Sequence, residues 1–456
     1  MRLKGFIESK SHPSNERPFT IPSSKPETQR SILIASLAKG ISIIEDDLRC
    51  SETTIMKNAC MAMGARIIEH PTSLEIHGVD GKLIAPKAII DCHGSGLVFR
   101  VFSALACFAD KPIVISGDRI LRTRMMEPLF NALKKLGANI ESICDSGKAP
   151  IINWAKKLQG GSCHLPGNIS SQFITAILFA APFSNEVTKI IVEDTHDLYS
   201  KSYIEQTVHF MRISGIKIET SQDYKCFQIH PGSYSPIKVK IKEDYTSASY
   251  LLVAAALIQG KTVFHNVYGG SLQGESAILE ILKSLGINVC FDHVEKTLVI
   301  DNPHQSLMGH YKFDAKNYPN IVPTLAVLGS YIKGSFQVTG AAITRFHKAP
   351  RVEAIVTELK KLGVDVTILY DNGITDGFLI KGRDSYEGGI TFSSWQDHRI
   401  FMSLFINILR TKKPCYFDGY QDVHCSFPEF IEQFKYFGIK TEIEGHPAEL
   451  EEICNV

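Results

Sequence analysis

Apolar and polar positions along this chain alternate between two kinds of helix. One kind is apolar on nearly every face: SILIASLAKG, FSALACFADK, ITAILFAAPF, SYLLVAAALIQG, TLAVLGSYIKG and FMSLFINILR. A helix with no polar face belongs inside a domain, not on its surface. The other kind is amphipathic and ends in a glycine that runs at once into a β-branched strand: NACMAMGARI, NALKKLGANI, HFMRISGIKI, EILKSLGINV, ELKKLGVDV and QFKYFGIKT. These glycines, Gly64, Gly137, Gly215, Gly286, Gly363 and Gly438, are separated by 73, 78, 71, 77 and 75 residues. Glycine just past a helix fits a C-cap, where it takes the left-handed conformation cheaply. One such junction means little, but six at near-constant spacing make a repeat. Short strands such as ISIIEDD, PIVISGD, TVFHNV and SFQVTG follow the apolar helices, and VTILYD and GFLIKG follow an amphipathic one. The pattern predicts an α/β fold of six βαβαββ-type units, with mixed sheets packed around buried helices.

A chain of 456 residues exceeds what one hydrophobic core supports, so the units divide. Three per domain is the economical grouping. The expected first domain is discontinuous, residues 1–22 plus 246–456, and the second is residues 23–245, with the active site in the interdomain cleft. SPIKVKIKED is the expected crossing strand. MRLKGFIES joins the second half, because the first half already has its three units. The acidic tail after Glu444 is expected to be peripheral.

Composition then narrows the chemistry. A formal net charge of +1 gives no global field for nucleic acid or an anionic membrane, so any anionic ligand must be held by a local cluster. The eleven cysteines contain no C-x-x-C pair, and no apolar run approaches membrane-spanning length. A reducing cytoplasm, no metal and no cofactor are expected. No Walker loop, dinucleotide fingerprint or H-E-x-x-H occurs.

The polar clusters lie just before the apolar helices. In LPGNISSQFITAILFAAP, Leu165 to Pro182, Pro166 and Gly167 mark a turn and Asn168 or Ser170 caps a helix that is apolar from Phe173. Ser170, Ser171 and Gln172 therefore sit at a helix N-terminus, where free N–H groups and the positive dipole end favour an anion. Lys25 to Arg30, Gly94-Ser95-Gly96 leading to Arg100, Asp244 to Ser247, Pro319-Asn320 and Gln396-Asp397-His398-Arg399 occupy matching places. Two loops add cations: Arg119, Arg122 and Arg124 in one, Arg345, His347, Lys348 and Arg351 in the other. Arg124 and Arg351 recur at equivalent places in their units. Arginine is the natural planar partner of phosphate and carboxylate. Polyanionic small ligands suit the set.

Taken in order, K-x-x-x-x-R at Lys25 to Arg30, LPGNISSQFITAILFAAP, Leu198-Tyr-Ser200-Lys201-Ser-Tyr203-Ile, SASY at Ser247 to Tyr250, Gln273-Gly274 and Asp397-His398-Arg399 resemble the enolpyruvyl transferases over essentially the whole chain, most closely their EPSP synthase branch. The resemblance implies two domains of three units each, and a monomer acting on two small molecules, phosphoenolpyruvate and a phosphorylated hydroxyl acceptor. It implies that Ser170, Ser171, Ser200 and Lys25 hold the acceptor's phosphate, and that Arg30, Gln172 and Tyr203 orient its ring. Arg124, Gly96 and Gln172 would face the phosphate of phosphoenolpyruvate, and Arg351 and Arg399 its carboxylate. The Ser170–Gln172 and Ser200–Tyr203 motifs point to shikimate 3-phosphate as acceptor rather than to a UDP-sugar.

The departures concern proton transfer. Asn320 stands where the family carries an aspartate near the reacting hydroxyl, Lys348 where it carries a glutamate, and Cys425 where it carries a late lysine. Pro26 and Gly94 replace a serine and an asparagine. An amide cannot take a proton, and His347, with an ordinary pKa of about 6.5, is a reasonable substitute. Lys25, His347, Lys348, Asn320 and His398 are thus the candidate catalytic residues, His398 being read as a positioning group within D-H-R. Rival expectations are a diverged transferase with another phosphorylated acceptor and a non-catalytic protein that keeps the anion site.

Overall fold

The computed structural model describes residues 2–7, 19–144, 147–193 and 198–444; the tail after Glu444 and the last residues of MRLKGFIES lie outside them. The described chain divides into two compact units. One comprises Met1–Pro22, Glu243–Ser271 and Glu275–Val456, the other Ser23–Lys242 and Leu272–Gly274.

Each unit contains three buried helices and three four-stranded sheets among its described residues. In the Ser23–Lys242 unit the buried helices are Lys25–Leu37, Gly96–Leu105 and Ser171–Ala180. In the other unit they are Tyr245–Ala256, Val322–Ser330 and His398–Phe405. Every residue of Gly96–Leu105, Tyr245–Ala256, Val322–Ser330 and His398–Phe405 is buried, as their lack of a polar face requires.

The sheets repeat one order. An opening strand lies parallel to the strand after the buried helix, and two antiparallel strands complete the set. The first runs Lys238–Lys240, Ile41–Glu45, Ser73–His77, Arg66–Glu69 across the sheet. Its opening strand thus comes from the SPIKVKIKED segment, far along the chain. The sheet opened by Phe19–Thr20 is likewise completed by Gly260–His265, Thr297–Asn302 and Asn288–Asp292. The last sheet takes Arg2–Ile7 between Cys415–Phe417 and Ile439–Glu444, so the N-terminal strand finishes the sixth repeat.

The six repeat glycines all have left-handed backbone, from φ 79° at Gly286 to 110° at Gly64. Each follows a helix and turns the chain into a strand, a conformation strained for any residue with a Cβ. The helix bounds differ from the apolar runs at both ends. Lys25 to Arg30 and Gly96 to Arg100 lie inside the first turns of their helices rather than before them. At the other end, Ala106–Phe108, Ala181–Phe183 and Ile406–Arg410 close as 3-10 turns. The first turn of a capped helix accommodates polar side chains because its N–H groups already need partners.

Candidate active site

In the Ser23–Lys242 unit, all three buried helices begin at a serine: Ser24, Ser95 and Ser170. The Ser24 hydroxyl accepts from Glu27 N–H, and the Ser170 hydroxyl from Gln172 N–H, both at 3.3 Å. In the other unit the Tyr245–Ala256 and His398–Phe405 helices begin at aspartates, Asp244 and Asp397. A carboxylate at the cap neutralises part of the helix's positive end, whereas a hydroxyl leaves it for a ligand. The serine-capped unit is therefore the better place for a dianion.

Its cations are buried. Lys25, in the first turn after Ser24, donates from Nζ to Glu52 at 3.1 Å. Arg30 donates from Nε to the Thr207 hydroxyl at 2.9 Å and from Nη2 to the Tyr203 carbonyl at 2.9 Å, with its guanidinium 5.8 Å from the Tyr203 ring centre. Burial lowers its pKa to about 10, which leaves it charged at neutral pH. Arg30 thereby ties the first buried helix to the Lys201–Ile213 helix.

A second cluster surrounds Gly96. A Cβ placed there would lie 2.7 Å from Arg100 Nη1, 2.8 Å from Arg124 Nη1 and 3.5 Å from Gln172 Oε1. Two guanidiniums and a side-chain amide thus crowd a backbone that only glycine leaves open. Arg100 donates from Nη1 to Gln172 Oε1, and its guanidinium lies 5.2 Å from the Phe173 ring centre. Burial, and then the neighbouring Arg124, lower the Arg100 pKa to about 9. Like charges held together in this way are balanced when an anion binds between them. Ser171 is buried beside Ser170.

Ser200 is buried at the start of the Lys201–Ile213 helix and holds φ 56°. A non-glycine residue in that region is strained, and such strain gathers at functional positions. Tyr203, in the first helical turn, donates its N–H to the Ser200 carbonyl at 3.1 Å.

The other unit brings Asn320, Arg351 and Asp397 into one chain of bonds. Arg351 donates from Nε and Nη2 to the two carboxylate oxygens of Asp397, at 2.8 and 3.4 Å, and from Nη1 to Asn320 Oδ1 at 3.0 Å. Asn320 donates in turn from Nδ2 to Glu275 Oε1 at 3.1 Å. Asp397 is fully buried, which alone would raise its pKa. Arg351, His398 and the Arg399 N–H outweigh burial and hold the carboxyl well below the usual carboxylate range. His398 Nδ1 lies 3.8 Å from Asp397, and Trp395 and Gln396, just before it, both hold left-handed backbone. Arg399 faces the buried Tyr250, whose hydroxyl pKa burial raises while Arg399 and Arg351 oppose the rise.

His347 closes the Ala342–Phe346 turn, its N–H donating to the Thr344 carbonyl at 3.2 Å. Lys348 Nζ approaches Cys425 Sγ at 3.8 Å and also acts on Asp422, whose pKa burial raises and Lys348 lowers.

Three participants carry no assigned role in the sequence reading: Arg100, Asp397 and Glu275. Arg100 had a signal of its own, a charge inside the apolar run GLVFRVFSAL. Asp397 stood in a motif, but nothing in the sequence pairs it with Arg351. Among the described residues no group of three or more His, Cys, Asp or Glu side chains could hold a metal ion. No described helix is long and apolar enough to cross a membrane.

Comparison with known proteins bears on the whole chain. Residues 16–434 match the family described as EPSP synthase (3-phosphoshikimate 1-carboxyvinyltransferase). A 3-phosphoshikimate 1-carboxyvinyltransferase of Methanocaldococcus jannaschii is 34% identical over 97% of this chain and 98% of its own. Its counterpart from Methanothermobacter thermautotrophicus is 34% identical over 92% of this chain and 96% of its own. Among solved structures, an EPSP synthase from Acinetobacter baumannii has TM-score 0.78 at 24% identity, covering 97% of this chain and all of that one. The enolpyruvyl transferase NikO from Streptomyces tendae has TM-score 0.75 at 14% identity over 98% of this chain and all of its own, a likeness of fold.

Proposed function

Since this chain belongs to the EPSP synthase family, we propose that it transfers the enolpyruvyl group of phosphoenolpyruvate to a hydroxyl of shikimate 3-phosphate, releasing phosphate. The acceptor hydroxyl adds to C2 of phosphoenolpyruvate while C3 gains a proton. Loss of one proton from C3, with departure of phosphate from C2, then leaves the enol ether. The enzyme is a transferase; we take it to act as a monomer in the cytoplasm.

The observation that carries the reading is the buried cation set in the serine-capped unit: Lys25, Arg30 and Arg100, with Arg124 beside them. Lys25 already bonds the Glu52 carboxylate, whereas Arg30 and Arg100 donate to neutral oxygens, and a bound dianion would balance the charge of these buried guanidiniums. In this proposal Lys25, Ser170, Ser171 and Ser200 hold the acceptor's phosphate, and Arg30, Gln172 and Tyr203 hold its ring. Gly96, Arg124 and Gln172 take the phosphate of phosphoenolpyruvate, and Arg351 and Arg399 its carboxylate. Charge-assisted contacts of this kind offset the repulsion between two anions held at reacting distance. Asn320 holds the reacting hydroxyl without accepting its proton. His347 is the proposed proton acceptor, Lys348 supplies a cation, and His398 positions the intermediate.

The amide at 320 and the Lys348–Cys425 pair favour one second reading, in which the same transfer serves another phosphorylated hydroxyl compound. Phosphate release from phosphoenolpyruvate, measured with shikimate 3-phosphate and with a panel of other phosphorylated alcohols, tests both. Release with shikimate 3-phosphate supports the first, release with another acceptor only supports the second, and release with none refutes both.

A further inference from the structure

Asn320 is bonded at both ends of its amide. Its oxygen accepts from the Arg351 guanidinium at 3.0 Å and its nitrogen donates to the Glu275 carboxylate at 3.1 Å. Turning the amide over would set N–H against the arginine's N–H and oxygen against the carboxylate, losing both bonds. Glu275 is fully buried in the short turn Gly274–Ser276, and it stands 45 residues from Asn320 in the sequence. The resulting series, Glu275, Asn320, Arg351, Asp397, alternates acceptor and donor at every step.

We infer that Glu275 is a positioning residue of this site: it fixes the Asn320 amide with its oxygen on Arg351, and it makes position 320 fit an amide but not a second carboxylate. The guanidinium is thereby clamped from two sides, by Asp397 on Nε and Nη2 and by Asn320 on Nη1. Its plane is set before any ligand arrives. That Arg351 then meets the carboxylate of phosphoenolpyruvate rests on the proposed transfer; the Glu275–Asn320 coupling does not.

An aspartate at 320 would put two carboxylates at hydrogen-bond distance in a buried place. One of them would have to stay protonated. The charged groups facing the pair are Arg351 and, through it, Asp397 at the start of the His398–Phe405 helix. The elements packed against the Pro319–Ile321 turn include Ala342–Phe346, which carries Arg345 and is followed by His347 and Lys348, and the Tyr245–Ala256 helix, which Asp244 caps. Arg351 is already neutralised by Asp397, so it does not hold both carboxylates ionised.

The test compares the parent with Asn320→Asp, Glu275→Gln and the double variant, by thermal unfolding from pH 5 to pH 8 without ligand. A carboxyl whose folded pKa is raised binds more protons in the native than in the unfolded state, so its stability falls as pH rises. Asn320→Asp should therefore lose stability progressively over that range relative to the parent, and Glu275→Gln should remove the loss when added to it. If Asn320→Asp does not fold, recovery of folding in the double variant supports the pairing. Failure to recover overturns it, as does a pH-independent Asn320→Asp or an equal loss in the double variant. In turnover, kcat/KM for phosphoenolpyruvate in Asn320→Asp, divided by the parent's, should fall as pH rises from about 6 to about 8, because the share of molecules in which the pair still shares a proton falls. Lack of turnover in all four proteins counts against the proposed transfer and leaves the stability comparison to decide the pairing.

Discussion

Replacing Asp397 by asparagine isolates the buried ion pair that anchors the series Asn320, Arg351, Asp397. The carboxylate is fully buried, bonds Arg351 at 2.8 and 3.4 Å, and accepts from the Arg399 N–H at 2.9 Å. Asparagine caps a helix about as well as aspartate, so the cap should contribute little to the difference. What is lost is the negative charge opposite Arg351, which then stays buried against two amides. Removing one partner of such a pair costs about 3–5 kcal/mol. Urea unfolding at pH 7 should show a loss of that size. Arg351→Met, which strands Asp397 instead, should cost a similar amount, and the two changes together should cost clearly less than their sum. The pH dependence has a definite sign. Because the folded carboxyl titrates below the ordinary aspartate value of about 3.9, its stabilisation is complete above that value and fades as pH falls below it. The gap between parent and Asp397→Asn should be flat from about pH 5 to 8 and shrink under more acidic conditions. A loss below about 1 kcal/mol, or additive effects in the double variant, would refute the reasoning.

Further outcomes follow from the other clusters. Lys25→Ala should weaken shikimate 3-phosphate binding by about 10- to 100-fold in calorimetry, the worth of one charge-assisted contact; unchanged affinity removes the phosphate assignment. Gly96→Ala should raise the KM for phosphoenolpyruvate by about tenfold with the fold intact, because its Cβ presses on the Arg100 and Arg124 guanidiniums; a parent-like KM would show that the arginines yield freely. His347→Gln should lower kcat by about 10²–10⁴-fold with little change in ligand affinity and abolish titration of kcat near neutral pH; full turnover would leave the proton to another group.

Much of the architecture was legible because it depends on local rules that recur. A helix apolar all round must be buried, and a glycine at a fixed place after each amphipathic helix marks a backbone conformation that other residues adopt only with strain. Six repetitions of those two signals implied six units, and counting them put MRLKGFIES with the second half; that Arg2–Ile7 completes the sixth sheet came from the structure. Helix beginnings were less legible. Lys25 and Arg30 look like loop residues until Ser24 is seen capping their turn. The residues proposed to hold anions stood out in the sequence by type and by place before apolar runs. Their pairings did not, since the bonds join positions far apart: Arg351 to Asp397 over 46 residues, Asn320 to Glu275 over 45, Lys348 to Cys425 over 77. Nothing in the local pattern at Glu275 distinguishes a carboxylate that fixes an amide from one that faces water.

The central claim is enolpyruvyl transfer to shikimate 3-phosphate by a site whose base position carries an amide. Incubating the protein with phosphoenolpyruvate and shikimate 3-phosphate and following both inorganic phosphate and the enol ether by phosphorus and proton NMR tests it directly. Equal amounts of phosphate and 5-enolpyruvylshikimate 3-phosphate are expected, and no phosphate when the acceptor is omitted. Binding of both substrates without formation of either product would contradict it.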